Sequence, residues 1–237
     1  NAYNLYDGLQ KLGITNLRQQ QEAPMQAIFD GKDAIVLMPT AGGKSLLYQL
    51  PAVMDDTGKL TLVISPLKAL QLDQVDALRS KGIRAAVLNS DLSAAEHSSV
   101  LEDMTRRGGL LYLAPEQLQN MAVADALRTA NLTRIAVDEA HTLPQAKDDF
   151  RKAYGKVGSF IHSLPHRPQV IALTATATLN DVSLIRKSLG IPNAERFRTP
   201  LRRDNLHLCI NHIDNSKIRK GKRKPSTENM LFQSVER

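Results

Sequence analysis

The chain has 237 residues, of which 42% are hydrophobic, so it can bury a sizeable core and is not a wholly disordered protein. Its net charge of +7 points to polyanionic partners, although six of its cations crowd into one short stretch near the end. The single cysteine excludes an internal disulfide framework, no apolar run approaches the length of a membrane span, and no signal sequence opens the chain. We therefore expect an intracellular, soluble protein, in the nucleus of a eukaryote or in the cytoplasm or nucleoid of a bacterium.

Short apolar runs recur along the chain and predict buried strands. Each run is too short for a helix, is rich in Val, Ile or Leu, and is followed by a turn signal or a polar residue. The six runs are Ala34–Met38, Leu60–Ile64, Ala85–Leu88, Leu110–Leu113, Ile135–Val137 and Val170–Leu173. Runs that are apolar on both faces are typical of a parallel sheet that is covered on both sides.

Segments with helical spacing alternate with these runs. They are Lys44–Met54, Leu70–Lys81, Ser93–Arg107 and Val182–Leu189, and Asn4–Leu12 is expected to be a leading helix. The alternation of strands and helices predicts an α/β domain, a doubly wound and mostly parallel sheet flanked by helices, with right-handed crossovers. We expect the alternating pattern to extend from about Gln20 to Arg198.

A glycine-rich loop follows the first predicted strand and opens a helix. Its four small residues are Thr40, Ala41, Gly42 and Gly43. Backbone N–H groups in such a loop can line a phosphate, Lys44 can reach the β and γ phosphates, and Ser45 can ligate magnesium. Met38 stands where the generic pattern has glycine, and only the helicase-style variant with Pro-Thr ahead of the loop fits. The plainer alternative is a glycine-rich turn with an incidental lysine.

An acidic pair follows the fifth apolar run. Asp138 is in a position to hold magnesium through water, and Glu139 to polarise an attacking water. An acidic pair after a strand is commonly only solvated, but here it reads Asp-Glu-Ala-His in a chain that also carries a phosphate loop. Zinc binding by His141 is disfavoured because no second histidine lies at ligand spacing.

Taken in order, these and other motifs resemble superfamily-two helicases, and more narrowly the RecQ family. The matching segments are Leu17–Glu22, Met38–Ala52, Ser65–Leu70, Asp73–Val75, Tyr112–Glu116, Asp138–His141 and Ala172–Ala177. The resemblance covers about Leu5 to Ile210. It implies the first RecA-like P-loop NTPase domain of a helicase that uses ATP and Mg²⁺ to unwind DNA from 3′ to 5′ in recombination and repair.

The resemblance also implies roles for individual residues. Arg18 and Gln21 belong to the motif that recognises adenine. Residues that contact DNA, single-stranded or forked, are Ser65, Pro66, Lys68, Gln145, Phe150 and Arg151. By the same resemblance, the segments Asp73–Val75 and Tyr112–Glu116 belong to motifs on the DNA side of the domain. Residues that couple hydrolysis to DNA movement are His141, Thr174 and Thr176. Core packing on a helix face is the alternative reading of Phe150.

Four departures from the RecQ pattern keep other functions open. The unusual residues are Ala41, Ile14, Gln117 and Ala146, which replace a glycine, an aromatic residue, an arginine and a tryptophan of the family. They favour a degenerate domain that binds nucleotide or DNA without unwinding, and a DEAH-type RNA helicase is a further alternative. The intact Lys44, Ser45, Asp138 and Glu139 favour an active ATPase.

The resemblance and the composition together predict four regions. Residues 1–19 form a leading helix and the approach to the adenine motif, 20–210 the ATP-binding domain, 211–228 a basic linker, and 229–237 the start of a second motor domain. The linker contains the clustered cations Lys217, Arg219, Lys220, Lys222, Arg223 and Lys224. A phosphate-binding or localisation patch is the alternative reading of that stretch. Because the first residue is Asn1 and not methionine, we expect a piece of a longer protein.

Overall fold

The computed structural model describes residues 5–39, 42–55, 58–140, 148–175 and 178–199, and for residues 148–154 it describes the backbone alone. Within these ranges a sheet of seven parallel strands forms the centre of the domain, in the order β3-β4-β2-β5-β6-β1-β7. The strands are β1 (Ala34–Leu37), β2 (Leu60–Ile64), β3 (Ala85–Leu88), β4 (Gly109–Leu113), β5 (Leu132–Val137), β6 (Gln169–Thr174) and β7 (Glu195–Arg198). The predicted α/β fold is thereby confirmed.

Helices flank this sheet. In the described ranges they are α1 (Leu5–Lys11), α2 (Gln19–Phe29), α3 (Leu46–Met54), α4 (Lys68–Arg79), α5 (Ala94–Arg107), α6 (Met121–Thr129), α7 (Asp148–Ser163) and α8 (Leu179–Leu189), with a 3₁₀ helix at Pro115–Gln119. None of them combines the length and the apolar character that crossing a bilayer requires. Helix α5 begins after Ser93, whose hydroxyl accepts the Glu96 N–H at 3.3 Å while the Glu96 carboxylate accepts the Ser93 N–H at 2.8 Å. This capping box explains why the predicted boundary was accurate.

Both faces of the sheet are buried, which is why the strands read as continuous apolar runs. In β2, Leu62 and Ile64 pack into the core on one face, and Val63 packs into the core on the other. All three side chains are fully shielded from solvent. Polar side chains can therefore reach the surface of the sheet only where the strands end.

The seventh strand, β7, was not predicted because its sequence does not resemble a buried strand. Its residues are alternately half-buried and exposed, and two of the four are arginines. It pairs with β1 at the edge of the sheet, where Glu195 contacts Lys32 at 2.7 Å. Charged side chains on an edge strand discourage pairing with a second sheet.

Candidate active site

The predicted phosphate loop and the predicted acidic pair meet at one edge of the sheet. Strands β1 and β5 are separated only by β6, and in a parallel sheet their carboxyl ends share an edge. Backbone hydrogen bonds extend the ladder beyond the strands. The Met38 N–H donates to the Thr174 carbonyl at 2.9 Å, and the Asp138 N–H donates to the Ile64 carbonyl at 2.8 Å. The start of the loop is thus fixed to β6 and the acidic pair to β2, in each case the strand beside its own.

Two glycines shape the described part of the phosphate loop. A Cβ atom at Gly42 would lie 2.4 Å from Cγ of Met38, and one at Gly43 would lie 2.5 Å from Nε2 of Gln21. Gly43 also has φ of +80°, a conformation that side chains with a Cβ rarely adopt. Met38, which replaces the glycine of the generic pattern, is fully buried and occupies the space that Gly42 leaves open. The departure at position 38 is therefore accommodated within the loop.

Lys44 lies between the two acidic residues. Its Nζ is 2.9 Å from Oε1 of Glu139 and 4.0 Å from Oδ1 of Asp138, and its side chain is only 5% exposed. The sequence predicted that all three residues act on one nucleotide, but it did not predict that they contact each other. An ion pair shielded to this degree is weakly screened by salt.

The backbone at Glu139 adopts an unusual conformation. Its φ of +55° makes it the one non-glycine residue with positive φ in the described part of the chain. Its N–H donates to Oδ1 of Asp138 at 2.9 Å. A residue held in this region typically costs about 1–3 kcal/mol, and such strain is concentrated at functional sites.

Two residues of the site, Ser45 and Asp138, carry oxygen atoms that are suitable ligands for magnesium. Ser45 is the N-cap residue of α3 and is half-buried, while the Asp138 side chain is 6% exposed. Hydroxyl and carboxylate oxygens are hard ligands of the kind that Mg²⁺ prefers. The donor set therefore fits the predicted metal.

Gln21 connects the adenine motif to the phosphate loop. It is 2% exposed, and both ends of its amide are hydrogen-bonded. Oε1 accepts the Arg18 N–H at 2.8 Å, and Nε2 donates to the carbonyls of Gly43 at 3.0 Å and Gly42 at 3.5 Å. Arg18 itself is exposed.

The three predicted DNA-contacting residues at the end of β2 differ in exposure. Ser65 is 3% exposed, and its hydroxyl has no hydrogen-bond partner among the described residues. Its neighbour Pro66 is half-buried, and Lys68 is exposed, with Nζ donating to Ser90 at 2.8 Å and to Asp91 at 3.0 Å. A direct contact between DNA and the Ser65 side chain does not fit this burial, whereas Pro66 and Lys68 are accessible.

Other predicted site residues are only partly covered or lie outside the described residues. Those outside are Thr40, Ala41, His141, Gln145 and Thr176. Phe150 and Arg151 lie in α7, whose backbone alone is described at those positions. The roles of these residues stay predictions. Thr174 is fully buried at the end of β6, where its carbonyl accepts the Met38 N–H.

A pair of buried tyrosines beside the site received no role from the sequence. Tyr48 in α3 and Tyr112 in β4 are 0% and 1% exposed, and their rings meet edge to face with centroids 6.3 Å apart. Burial raises the pKa of both phenols, and the negative charge of Asp138 contributes in the same direction. Both segments had been matched to family motifs, but nothing in the sequence indicated that these two side chains meet.

Comparisons with known proteins show which family this chain resembles. The family model described as DEAD/DEAH box helicase matches residues 18–185. The probable ATP-dependent DNA helicase RecS of Bacillus subtilis is 40% identical over 202 residues, covering 85% of this chain and 40% of that protein. The ATP-dependent DNA helicase RecQ of a Synechocystis species is 37% identical over 217 residues, covering 89% of this chain and 45% of that protein.

Among solved structures, the DUF1998 helicase MrfA bound to DNA is similar in fold, with a TM-score of 0.68 at 22% identity over 82% of this chain and 29% of that one. This chain spans less than half the length of each of the two curated relatives. Their names agree with the resemblance to RecQ that the motifs indicate. By the family model that covers most of its length, the chain belongs to the DEAD/DEAH box helicase family.

Proposed function

We propose that this chain is the ATP-binding motor domain of a RecQ-type DNA helicase that moves from 3′ to 5′ and acts in recombination and repair. The observation that carries the proposal is the buried contact of Lys44 with Glu139 and Asp138 at the carboxyl edge of the sheet. Proteins named as ATP-dependent DNA helicases are the relatives that match most of the chain. The intact charged residues favour a working ATPase over a degenerate binding domain.

The charges at the site favour a magnesium complex of ATP over the free nucleotide. Lys44, Asp138 and Glu139 together carry one net negative charge, which would repel a polyphosphate. Ser45 and Asp138 would hold Mg²⁺, and the ion would neutralise charge on the phosphate oxygens. With the ion in place the local charge becomes positive, so ATP and Mg²⁺ are expected to bind together.

The contact of Lys44 with Glu139 suggests how binding prepares hydrolysis. The β and γ phosphates would compete with Glu139 and Asp138 for the Lys44 amine, which weakens the contact between Lys44 and Glu139. The Glu139 carboxylate is then available to orient and polarise the attacking water. The backbone of Glu139 has a strained conformation, which persists only where the surrounding structure holds the residue in place. This supports a functional role for Glu139.

Recognition of the base involves the other side of the phosphate loop. Gln21 already bonds two loop carbonyls, so binding of adenine by its amide would be sensed directly by Gly42 and Gly43. Thr40 and Ala41 complete the proposed loop, and Arg18 is accessible for the nucleotide. The proposed ligand is therefore ATP, bound between the adenine motif and the acidic pair.

DNA is proposed to bind along the same edge of the sheet, beyond β2. Pro66 and Lys68 lie at the surface there, and Gln145, Phe150 and Arg151 are the proposed single-strand sensors. Contacts of this kind are mainly with phosphates, so binding should weaken steeply with salt. We also propose a second motor domain in the parent protein, which supplies the other half of the DNA groove and an arginine to the ATP site.

The test is ATP turnover by the parent protein with single-stranded DNA, with single-stranded RNA and without nucleic acid. Stimulation by DNA together with separation of a forked duplex is the expected result. Stimulation by RNA alone would support a DEAH-type RNA helicase instead. If the protein binds MgATP but shows no turnover in all three conditions, the result would support a degenerate domain and overturn the proposal.

A further inference from the structure

Two neighbouring residues of α3 cross-link the phosphate loop to two other segments. Tyr48 donates its hydroxyl proton to Oε1 of Gln74 in α4 at 2.7 Å. Gln49 donates from Nε2 to the hydroxyl of Tyr112 in β4 at 3.2 Å. Both of these segments, Asp73–Val75 and Tyr112–Glu116, belong to motifs that the family resemblance places on the DNA side of the domain.

The same residues are joined to the phosphate loop through the backbone. The Ser45 carbonyl accepts the N–H of Gln49 at 3.0 Å and that of Tyr48 at 3.3 Å. Ser45 is the proposed magnesium ligand, and it lies one helical turn before these two residues. A shift of this turn would move the donors of both cross-links.

Burial makes these hydrogen bonds costly to break. Tyr48 and Tyr112 are shielded from water, and Gln49 and Gln74 are partly buried. A polar group that loses its partner in such surroundings pays its full desolvation penalty, and hydrogen bonds there are stronger than in water.

We propose that Tyr48, Gln49, Gln74 and Tyr112 are positioning residues that couple nucleotide binding at the phosphate loop to DNA binding by the segments after β2 and β4. The inference rests on the proposed function. A move of the first turn of α3 either displaces α4 and the end of β4 or breaks buried hydrogen bonds. The edge-to-face contact between the two rings joins the cross-links into one unit.

The quantity that tests the inference is the coupling factor, the ratio of the MgATP dissociation constants without and with saturating DNA. It is measured on the 237-residue chain with a non-hydrolysable ATP analogue and a single-stranded oligodeoxythymidylate. In Tyr48→Phe the ring stays and only the hydroxyl is lost. We expect the coupling factor to fall toward one by about 2- to 30-fold, with each ligand's separate affinity little changed.

Two further variants separate coupling from simple bracing. Thr61→Val also deletes one buried hydroxyl, which accepts from Arg134 at 3.2 Å at the opposite edge of the sheet. It should lower stability and leave the coupling factor unchanged. The double variant Tyr48→Phe with Gln74→Met removes both partners of one bond, so stability should recover while coupling does not.

Each outcome is decisive. An unchanged coupling factor in Tyr48→Phe overturns the inference, as does its recovery together with stability in the double variant. A wild-type chain that binds both ligands with no mutual effect overturns it too. A wild-type chain that fails to bind MgATP or DNA contradicts the proposed function itself, which distinguishes the two failures.

Discussion

Lys44 and Arg134 are the two buried cations in the part of the chain that the structure describes, and they lie at opposite edges of the sheet. Lys44, at the carboxyl edge, has carboxylates as its identified partners, Glu139 at 2.9 Å and Asp138 at 4.0 Å. Two acidic partners for one cation leave an excess of negative charge. That edge is therefore suited to take up a divalent cation and to exchange partners.

Arg134, at the amino edge, is surrounded differently. Its guanidinium donates to one carboxylate, Asp55 at 3.0 Å, and to the neutral oxygens of Thr61 at 3.2 Å and Gln169 at 2.9 Å. The Gln169 amide in turn donates to the carbonyl of Ile28 at the end of α2, at 2.8 Å. Asp55 is also 3.8 Å from Lys59, so this edge has no excess of negative charge that would attract a divalent cation. Several donors of Arg134 are satisfied by the protein itself, which indicates a structural role.

The largest expected effect is on ATP turnover, and it comes from a second motor domain. The carboxyl edge offers Lys44, Asp138 and Glu139 from one side only, so we expect this chain alone to hydrolyse ATP slowly and to unwind nothing. Extension through a second motor domain should raise the rate by on the order of 10³–10⁵, the usual contribution of an arginine finger. The measurement is steady-state ATP turnover of both proteins with and without single-stranded DNA. Brisk, DNA-stimulated turnover by the 237-residue chain would contradict the expectation.

The next largest effect is expected when the carboxylate beside Lys44 is neutralised, and neutralising the carboxylate beside Arg134 is its control. Glu139→Gln keeps the size of the side chain but removes its ability to polarise water, so turnover of the extended protein should fall by about 10²–10⁴. MgATP affinity, measured by calorimetry, should persist. The matched control is Asp55→Asn, which makes the same chemical change beside Arg134. It should lower stability without slowing turnover, and equal rates for Glu139→Gln and wild type would remove Glu139 from the mechanism.

The third prediction concerns the removal of each buried cation in turn. Lys44→Ala removes a side chain that would compensate charge on the phosphates, and we expect MgATP affinity by calorimetry to fall about 10- to 100-fold. Arg134→Ala removes the buried partner of Asp55, which keeps Lys59 at 3.8 Å, and should lower the free energy of unfolding in urea by about 1–3 kcal/mol. Its MgATP affinity should stay near that of wild type. Unchanged affinity in Lys44→Ala would rule out the nucleotide site as assigned.

The sequence predicted well those features that depend on neighbouring residues. Buried strands such as β2 appear as unbroken apolar runs because a covered parallel sheet shields both faces. The phosphate loop and the acidic pair were recognised because each is a short motif directly after a strand. Both motifs were predicted to act on one nucleotide, and in the structure the strands that precede them end at the same edge of the parallel sheet.

Features that depend on distant pairs could not be predicted. Arg134 and Asp55 are separated by 79 positions, and nothing local to either residue reveals the other. The positive φ of Glu139 is not indicated by its residue type, since glutamate has no preference for it. The next residue, Ala140, donates its N–H to the Leu173 carbonyl at 2.8 Å, a partner that is also distant in sequence. The edge strand β7 was not predicted, because it forms by pairing with β1 although its own sequence is unfavourable for a strand.

The smallest expected effect concerns the basic stretch 217–224, which lies outside the described residues. If the carboxyl edge of the domain binds DNA, deletion of this stretch should leave DNA affinity and its dependence on salt almost unchanged, as for a linker. If the six cations bind phosphates, the slope of log affinity against log salt for a single strand should fall in magnitude by up to about 4. The measurement is fluorescence anisotropy of a labelled single strand over a range of salt concentrations.

Lys68→Ala is the matched test at the sheet edge, because it removes one exposed cation there and should reduce the slope by less than one. A large fall in slope on deletion, with none in Lys68→Ala, would move DNA binding from the carboxyl edge to the basic stretch.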